Sequence, residues 1–479
     1  MFWELENIDP NSIALIDGSS DKYLSYGELL KRCNQLCDYL RFKKKKLVFL
    51  FCDNSVESIT AYLSILRSGN AAYLANSNMD IFLKKDLINL YQPEIIFSKD
   101  NLSPLLNDYI DAETGFGLFL YQNKNLNRCS SPHNYLAVLL STSGTTGSPK
   151  LVKLSYKNLQ SNAESIAEYL NITGEEKPIT SLPISYSYGL SVINSHLHNG
   201  AKIVCSNQSM VTREFWNTFN NFECTSFAGV PYNYQILHRL KFDSMELPSL
   251  KYITQAGGRL SENLTKYFYE SSLKKGIKFF IMYGQTEATA RISYVPFETL
   301  GEKINSIGKP IPGGEIKIYS GKKEITAPDT EGELIYSGNN VMMGYANNRE
   351  DISKKDELRG ILYTGDLGFK DEDGYYYITG RLKRFIKLFG LRVNLDEIEK
   401  MIENKFNVSA ACYGNDDSLK VLLQLEGTDI SDSVRKEIIK IYNIHHSFVN
   451  VKCIKTIPHN SLGKKDYKSI ETLEYNEYN

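Results

Sequence analysis

Short, wholly apolar runs alternate along this chain with helical patterns, and few folds accommodate that alternation. LVFLFC (47–52) is followed by the helix-like VESITAYLSILRSG (56–69) and then by AAYLA (71–75). EIIFS (94–98), YLAVLLST (135–142), AKIVCS (201–206) and IKFFIMYG (277–284) continue the series. A strand that is apolar on both faces must be covered on both sides, which predicts α/β architecture with largely parallel sheets. No stretch repeats at a fixed period, which argues against a solenoid.

With 479 residues, the chain exceeds what one core normally organises. Its character changes after about residue 383. A helix is predicted from Asn394, where Asn394 and Glu397 have capping-box spacing. Ile398, Met401, Ile402 and Phe406 then share one face. A strand is predicted over 418–427 and a helix over 433–442. The expected organisation is a large N-terminal lobe over 1–382 and a small α+β domain over 383–479, joined by the charged RLKRFIK.

A formal net charge of −1 supplies no basic field to attract nucleic acid or anionic lipid. The Lys43–Lys46 run directly precedes the LVFLFC strand and reads as a solvated loop. No apolar run approaches the ~20 residues that span a bilayer. The N-terminus, MFWELENIDP, is acidic and lacks the layout of a signal peptide, so the cytoplasm is expected. The eight cysteines include no C-x-x-C pair, and Cys33 and Cys37, one helical turn apart, read as packing. The pairs His196/His198 and His445/His446 have no nearby cluster to complete a zinc site.

The segment richest in chemistry is STSGTTGSPK, residues 141–150, directly behind the apolar YLAVLL. Gly144 and Gly147 let the backbone approach a ligand and turn its N–H groups inward. The hydroxyls of Thr142, Ser143, Thr145 and Thr146 add donors, and Lys150 adds a point charge suited to phosphate. The G-x-x-x-x-G-K-[ST] order of a Walker loop is missing.

STSGTTGSPK resembles the signature loop of the adenylate-forming superfamily, which comprises acyl-CoA and aryl-CoA synthetases, luciferases and peptide-synthetase adenylation domains. Further segments resemble that family's motifs in the same order. YGQTEATAR (283–291) is similar to its Y-G-x-T-E motif. The resemblance implies that Tyr283 packs on adenine, Thr286 contacts the α-phosphate and Glu287 holds Mg²⁺. QAGGRL (255–260), with Ala256, Gly257 and Gly258, is similar to the stretch lining the adenine and acyl pockets. GELIYSGNNVMMGY (332–345) matches a motif that is mainly structural. YTGDLG (363–368) places Asp366 where the family accepts both ribose hydroxyls, and GRLKRFIK (380–387) places Arg381 at a second ribose contact. Lys383 falls on the family's hinge position, where lysine is similar to aryl-CoA ligases. IPHNSLGKKDYK (457–468) resembles the C-terminal P-x-x-x-x-G-K motif, and its glycine spacing selects Lys464 over Lys465 as the catalytic lysine.

The activity implied is ATP- and Mg²⁺-dependent activation of a small-molecule carboxylic acid, followed by transfer to a thiol of CoA or of a carrier protein's phosphopantetheine. Positioning and charge stabilisation suffice for the first step, and no protein nucleophile is needed. By the same resemblance, rotation of the small domain exchanges Lys464 for a passage beside Gly390. The acyl pocket is expected around Tyr186, Gly229 and Ala256, with Tyr188, Tyr232 and Tyr234 as further walls. Amino-acid-activating relatives carry an Asp where Tyr186 stands, and no acidic residue occurs from Leu182 to Val204. A buried ammonium would lack a partner there. Amino-acid loading onto a separate carrier protein is therefore the weaker alternative. A nucleotide-binding scaffold would show erosion at the loop, Glu287, Asp366, Arg381 or Lys464, and none is eroded.

Overall fold

The computed structural model describes all residues except 114–115, 126–129, 142–149, 383, 389–390, 416–417, 428, 443–444, 461–462 and 473–479. Its largest sheet has eight strands, with Leu136–Ser141, Ala71–Asn76, Leu47–Cys52 and Ile95–Ser98 parallel at its centre. These are four of the apolar runs that the sequence marks as strands. Along Leu47–Cys52, Val48 and Leu50 enter one core while Leu47, Phe49 and Phe51 enter the core on the opposite face. Such two-sided burial is the reason that the run is apolar throughout.

A second sheet aligns Ser226–Gly229, Tyr252–Gln255 and Lys278–Tyr283 in parallel, then adds Ser293–Val295 and Lys309–Pro310 antiparallel. Phe227, Ile253 and Phe279 fill one side of it. Ala228, Tyr252, Phe280 and Met282 fill the other, with Tyr186 and Tyr188. A third sheet departs from the parallel expectation. Its five strands, from Gly314–Ser320 to Tyr376–Arg381, are all antiparallel. They show partly buried, alternating patterns, which suit a sheet with one wetted face.

From Ile386 onward the tail forms a core of its own from Ile398, Ile402, Val421, Val434 and Ile438. The helix Leu395–Phe406 begins where expected: the Asn394 side chain accepts from the Asp396 and Glu397 amides. Ser418–Gln424 and Ser431–Tyr442 supply the anticipated strand and helix.

The lysine run departs from its solvated reading. Lys43 and Lys44 are exposed, but Lys46 is buried, 3.7 Å from Glu94, a carboxylate that also takes Arg349 at 2.8 Å. A buried acid shared by two cations draws the last lysine inward. Among the described residues no helix is long and apolar enough to cross a membrane.

Candidate active site

The three parallel strands of the second sheet end together, at Gly229, Gln255 and Tyr283. Ligand crevices of parallel sheets lie at these carboxyl ends. Tyr186, buried at the N-terminus of the helix Ser187–His198, covers them and meets Tyr188 at 6.3 Å between rings. Gly257 sits beneath it with φ +85°, and a Cβ there would stand 2.7 Å from the Tyr186 hydroxyl. Both backbone and space therefore require glycine. Cβ atoms on Gly229 and Gly258 would meet Tyr234 at 2.8 Å and Pro231 at 3.1 Å. Ala256 is buried beside Tyr186.

Two expected pocket walls fall elsewhere. Tyr234 is fully buried on the far face of the sheet, packed on Phe268 with its hydroxyl on the Thr254 carbonyl at 2.8 Å. Tyr232 is 45% exposed and faces His459 of the tail. Helix periodicity turns alternate residues of Pro231–Arg239 away from the pocket, which adjacency in sequence does not reveal.

Beyond Tyr283 a short turn, Thr286–Ala288, brings the Thr286 hydroxyl to 3.2 Å from that of Ser187. The Tyr345 hydroxyl donates to Glu287 Oε1 at 2.9 Å, and Lys150 Nζ lies 3.3 Å from the Tyr345 ring centroid. Tyr345 thus joins the end of the 141–150 segment to Glu287. The 332–345 motif, expected to be mainly structural, contributes this residue to the site. Its short strand, Gly344–Ala346, pairs with Leu151–Ser155 and sets Tyr345 next to Lys150. Thr142, Ser143, Gly144, Thr145, Thr146 and Gly147 lie outside the described residues. Glu287 Oε2 receives no donor among the described residues. One free carboxylate oxygen fits Mg²⁺, which typically takes one or two carboxylates and completes its shell with water and phosphate.

Asp366 and Arg381 face each other across two paired strands. Asp366 is 2% exposed, and its Oδ1 takes Arg381 Nε at 3.0 Å. Its Oδ2 takes the Tyr283 hydroxyl at 2.5 Å and Gln285 Nε2 at 2.9 Å. A carboxylate offers about four acceptor positions, so two ribose hydroxyls would have to displace one present donor. Burial, reinforced by Asp366, pushes the Tyr283 phenol far above its ordinary range and keeps it a donor.

The tail delivers Lys464 to the same place. Its Nζ stands 5.7 Å from the Tyr186 ring centroid. Burial and the nearby Arg381 hold its pKa below the ordinary lysine value, against the opposing pull of Glu287 and Asp366. The Lys464 amide donates to Asn460 Oδ1 at 3.0 Å, and the Asn460 amide returns a bond to the Lys464 carbonyl at 2.8 Å. Gly463, with φ +71°, presses against Val230, where a Cβ would come within 2.7 Å. Lys465 points the other way. Its ammonium lies 2.9 Å from both Glu399 and Glu403, inside the tail. Lys383 and Gly390 lie outside the described residues.

A profile of AMP-binding enzymes matches residues 2–346. The chain belongs to the AMP-binding enzyme family. It is an enzyme, an acyl-CoA synthetase-like acid–thiol ligase that forms AMP. It is 27% identical over 445 residues to an oxalate–CoA ligase of Arabidopsis thaliana, covering 86% of this chain and 85% of that one. Its fold matches the o-succinylbenzoate CoA synthetase of Bacillus subtilis, solved with its acyl-adenylate intermediate. That match has TM-score 0.77 and 24% identity, covering 98% of this chain and 97% of the other. The same synthetase solved with ATP and magnesium ion matches with TM-score 0.75 and 24% identity, over 98% of each chain.

Two site residues escaped the sequence reading: Gln285, within YGQTEATAR, and Tyr345.

Proposed function

We propose that this enzyme joins a carboxylic acid to ATP as its acyl-adenylate and then passes the acyl group to a thiol. The observation that carries the reading is Lys464, which the tail presents to Tyr186 amid Glu287, Asp366 and Arg381. In the first step a carboxylate oxygen bonds the α-phosphorus, and the bond to the β-phosphate bridging oxygen breaks, releasing pyrophosphate. Charge gathers on phosphate oxygens, so preorganised cations are what this step needs. Lys464 and Lys150 supply them from opposite lobes, the 141–147 loop adds donors, and Thr286 orients the α-phosphate. Glu287, held by Tyr345, would bind Mg²⁺, which when present neutralises phosphate charge. Tyr283, Gly257 and Gly258 form the adenine seat, while Asp366 and Arg381 take the ribose.

For the second step we assign the body to residues 1–382 and the moving domain to 383–479, turning at Lys383. Rotation withdraws Lys464 and opens the thiol passage beside Gly390. CoA is the favoured acceptor because the ligases that the chain resembles are named for it. A carrier protein's phosphopantetheine presents the same thiol. Tyr186 in the place of a carboxylate disfavours an α-ammonium, and with it amino-acid loading.

The test is Mg²⁺-dependent ATP–pyrophosphate exchange across fatty, aryl, hydroxy and amino acids, repeated for thioester formation with CoA and with a holo carrier protein. Acid-dependent exchange is expected with at least one non-amino acid. Exchange with no acid at all would end the reading.

A further inference from the structure

Two consecutive residues just past Glu287 stand in backbone conformations that ordinary side chains avoid. Thr289 has φ +54° and Ala290 has φ +114°. Positive φ is a genuine outlier for a β-branched residue, and such strain persists only where the surroundings over-determine it. Both residues are buried. The Ala290 carbonyl is driven against the residue after Tyr283, where a Cβ on Gly284 would lie 1.8 Å from that oxygen. The strained pair thus closes the turn that carries Thr286 and Glu287.

The restraint comes from one side chain. Asn340, 3% exposed, donates from Nδ2 to the Ala288 carbonyl at 2.8 Å and to the Arg291 carbonyl at 2.7 Å. These carbonyls bracket the strained pair, and the amide commits both of its N–H groups to them. Its own orientation is fixed in turn. The Tyr336 hydroxyl donates to Asn340 Oδ1 at 2.8 Å, and the Asn340 carbonyl accepts from the Thr289 hydroxyl at 2.5 Å. A second buried asparagine anchors the segment from behind: Asn158 donates to the carbonyls of Asn339 and Val341, both at 2.7 Å. Asn158 lies in the first turn of the helix Tyr156–Leu170, directly after the strand Leu151–Ser155 that leaves the 141–150 segment. Two backbone bonds complete the strap, from the Met342 amide to the Glu287 carbonyl at 2.9 Å and from the Met343 amide to the Lys153 carbonyl at 2.8 Å. Through residues 339–343 the Glu287 turn is therefore tied to the strand that follows Lys150.

We infer that Asn340 is a positioning residue for the metal and α-phosphate contacts. It holds the 286–291 turn in a conformation that the turn would otherwise leave, and so fixes where the Thr286 hydroxyl and the Glu287 carboxylate stand. This rests on the roles that the proposed function gives Thr286 and Glu287.

The experiment measures ATP affinity by calorimetry, in EDTA and in Mg²⁺, and pyrophosphate exchange with the acid that the wild type uses fastest. The variants are Asn340→Ala, which removes both donors, Asn340→Ser, which keeps one, and each of these combined with Ala290→Gly. In Asn340→Ala the gain in ATP affinity that Mg²⁺ brings should shrink roughly tenfold, the worth of one bond to a charged group. Affinity in EDTA should stay within a few-fold of wild type. Exchange should fall about 10²-fold, as for a reacting group displaced by ~1 Å. Asn340→Ser should lie between. Adding Ala290→Gly returns no hydrogen bond but removes the penalty for positive φ at that position, so it should restore part of the Mg²⁺ gain. A residue that served folding alone would lower the unfolding midpoint without touching that gain. An unchanged Mg²⁺ gain in folded Asn340→Ala or Asn340→Ser, or no recovery on adding Ala290→Gly, overturns the inference and leaves the ligase reading standing. Failure of all four proteins to fold assigns Asn340 to folding and overturns it as well. Wild-type ATP binding that ignores Mg²⁺ instead removes Glu287 from the metal, and the metal site of the proposed function falls together with this inference.

Discussion

Replacing Lys464 with alanine deletes one cation from the reacting centre and very little else. The hairpin that carries it is held by backbone and Asn460 bonds at 2.8 and 3.0 Å and by the contact of Gly463 with Val230, none of which uses the lysine ammonium. Folding stability and ATP binding should therefore stay close to wild type. The adenylation rate should not. Removing one preorganised charge-stabilising group typically costs about 10²–10³ in rate, or roughly 2.7–4 kcal/mol. Lys465→Ala is the matched control, one residue away with the opposite expectation. It strips a partly buried ammonium from Glu399 and Glu403, both at 2.9 Å. Breaking such a pair costs about 3 kcal/mol of stability, so its unfolding midpoint should fall while single-turnover adenylation of the folded fraction changes little. Rapid-quench measurement of acyl-AMP formation, paired with thermal unfolding of both variants, reads the two axes separately. Lys464→Ala with near-normal acyl-AMP formation would refute the reasoning. So would a Lys465→Ala protein of unchanged stability that loses the chemical step.

Other expectations are equally open to measurement. Lys464 stabilises charge only while protonated, and burial with Arg381 lowers its pKa. Adenylation should accordingly fall as pH rises through a value below the ordinary ~10.4 of lysine. Lys464→Arg, which does not titrate, should lose that alkaline limb, and a limb that persists would dissociate it from Lys464. Tyr345→Phe keeps the ring beneath Lys150 but removes the donor to Glu287. Losing one hydrogen bond to a charged group should raise the Mg²⁺ concentration for half-maximal exchange roughly tenfold, and an unaltered Mg²⁺ titration would exclude Glu287 as its anchor. Gly390→Leu should abolish thioester formation while leaving pyrophosphate exchange within a few-fold of wild type. Loss of both activities together would contradict a passage opened by rotation.

The sequence alone determined the sheet-forming runs, because burial on both faces is a local demand. Every residue of Leu47–Cys52 is apolar, since alternate side chains feed two different cores. The start of the tail helix was equally legible, since a cap lies within three residues of what it caps. Motif order along the chain likewise brought Tyr283, Glu287, Asp366, Arg381 and Lys464 into view as a set.

Only the tertiary structure decided which neighbours those residues keep. Tyr186 and Tyr234 look alike in the sequence, but one covers the site and the other fills the far core. Lys46 turned out to be buried because Glu94 and Arg349 arrive from other elements. Which way each lysine of the Lys464–Lys465 pair points depends on Glu399 and Glu403, which sit on a helix packed beneath the second one. Arg291 is the clearest case, since Tyr188 and Met282 come from other strands and helices, and no carboxylate among the described residues arrives with them. A linear pattern reports which face of an element is apolar. It does not report what the fold brings against that face, because strand order and helix placement are set by the packing of the whole lobe.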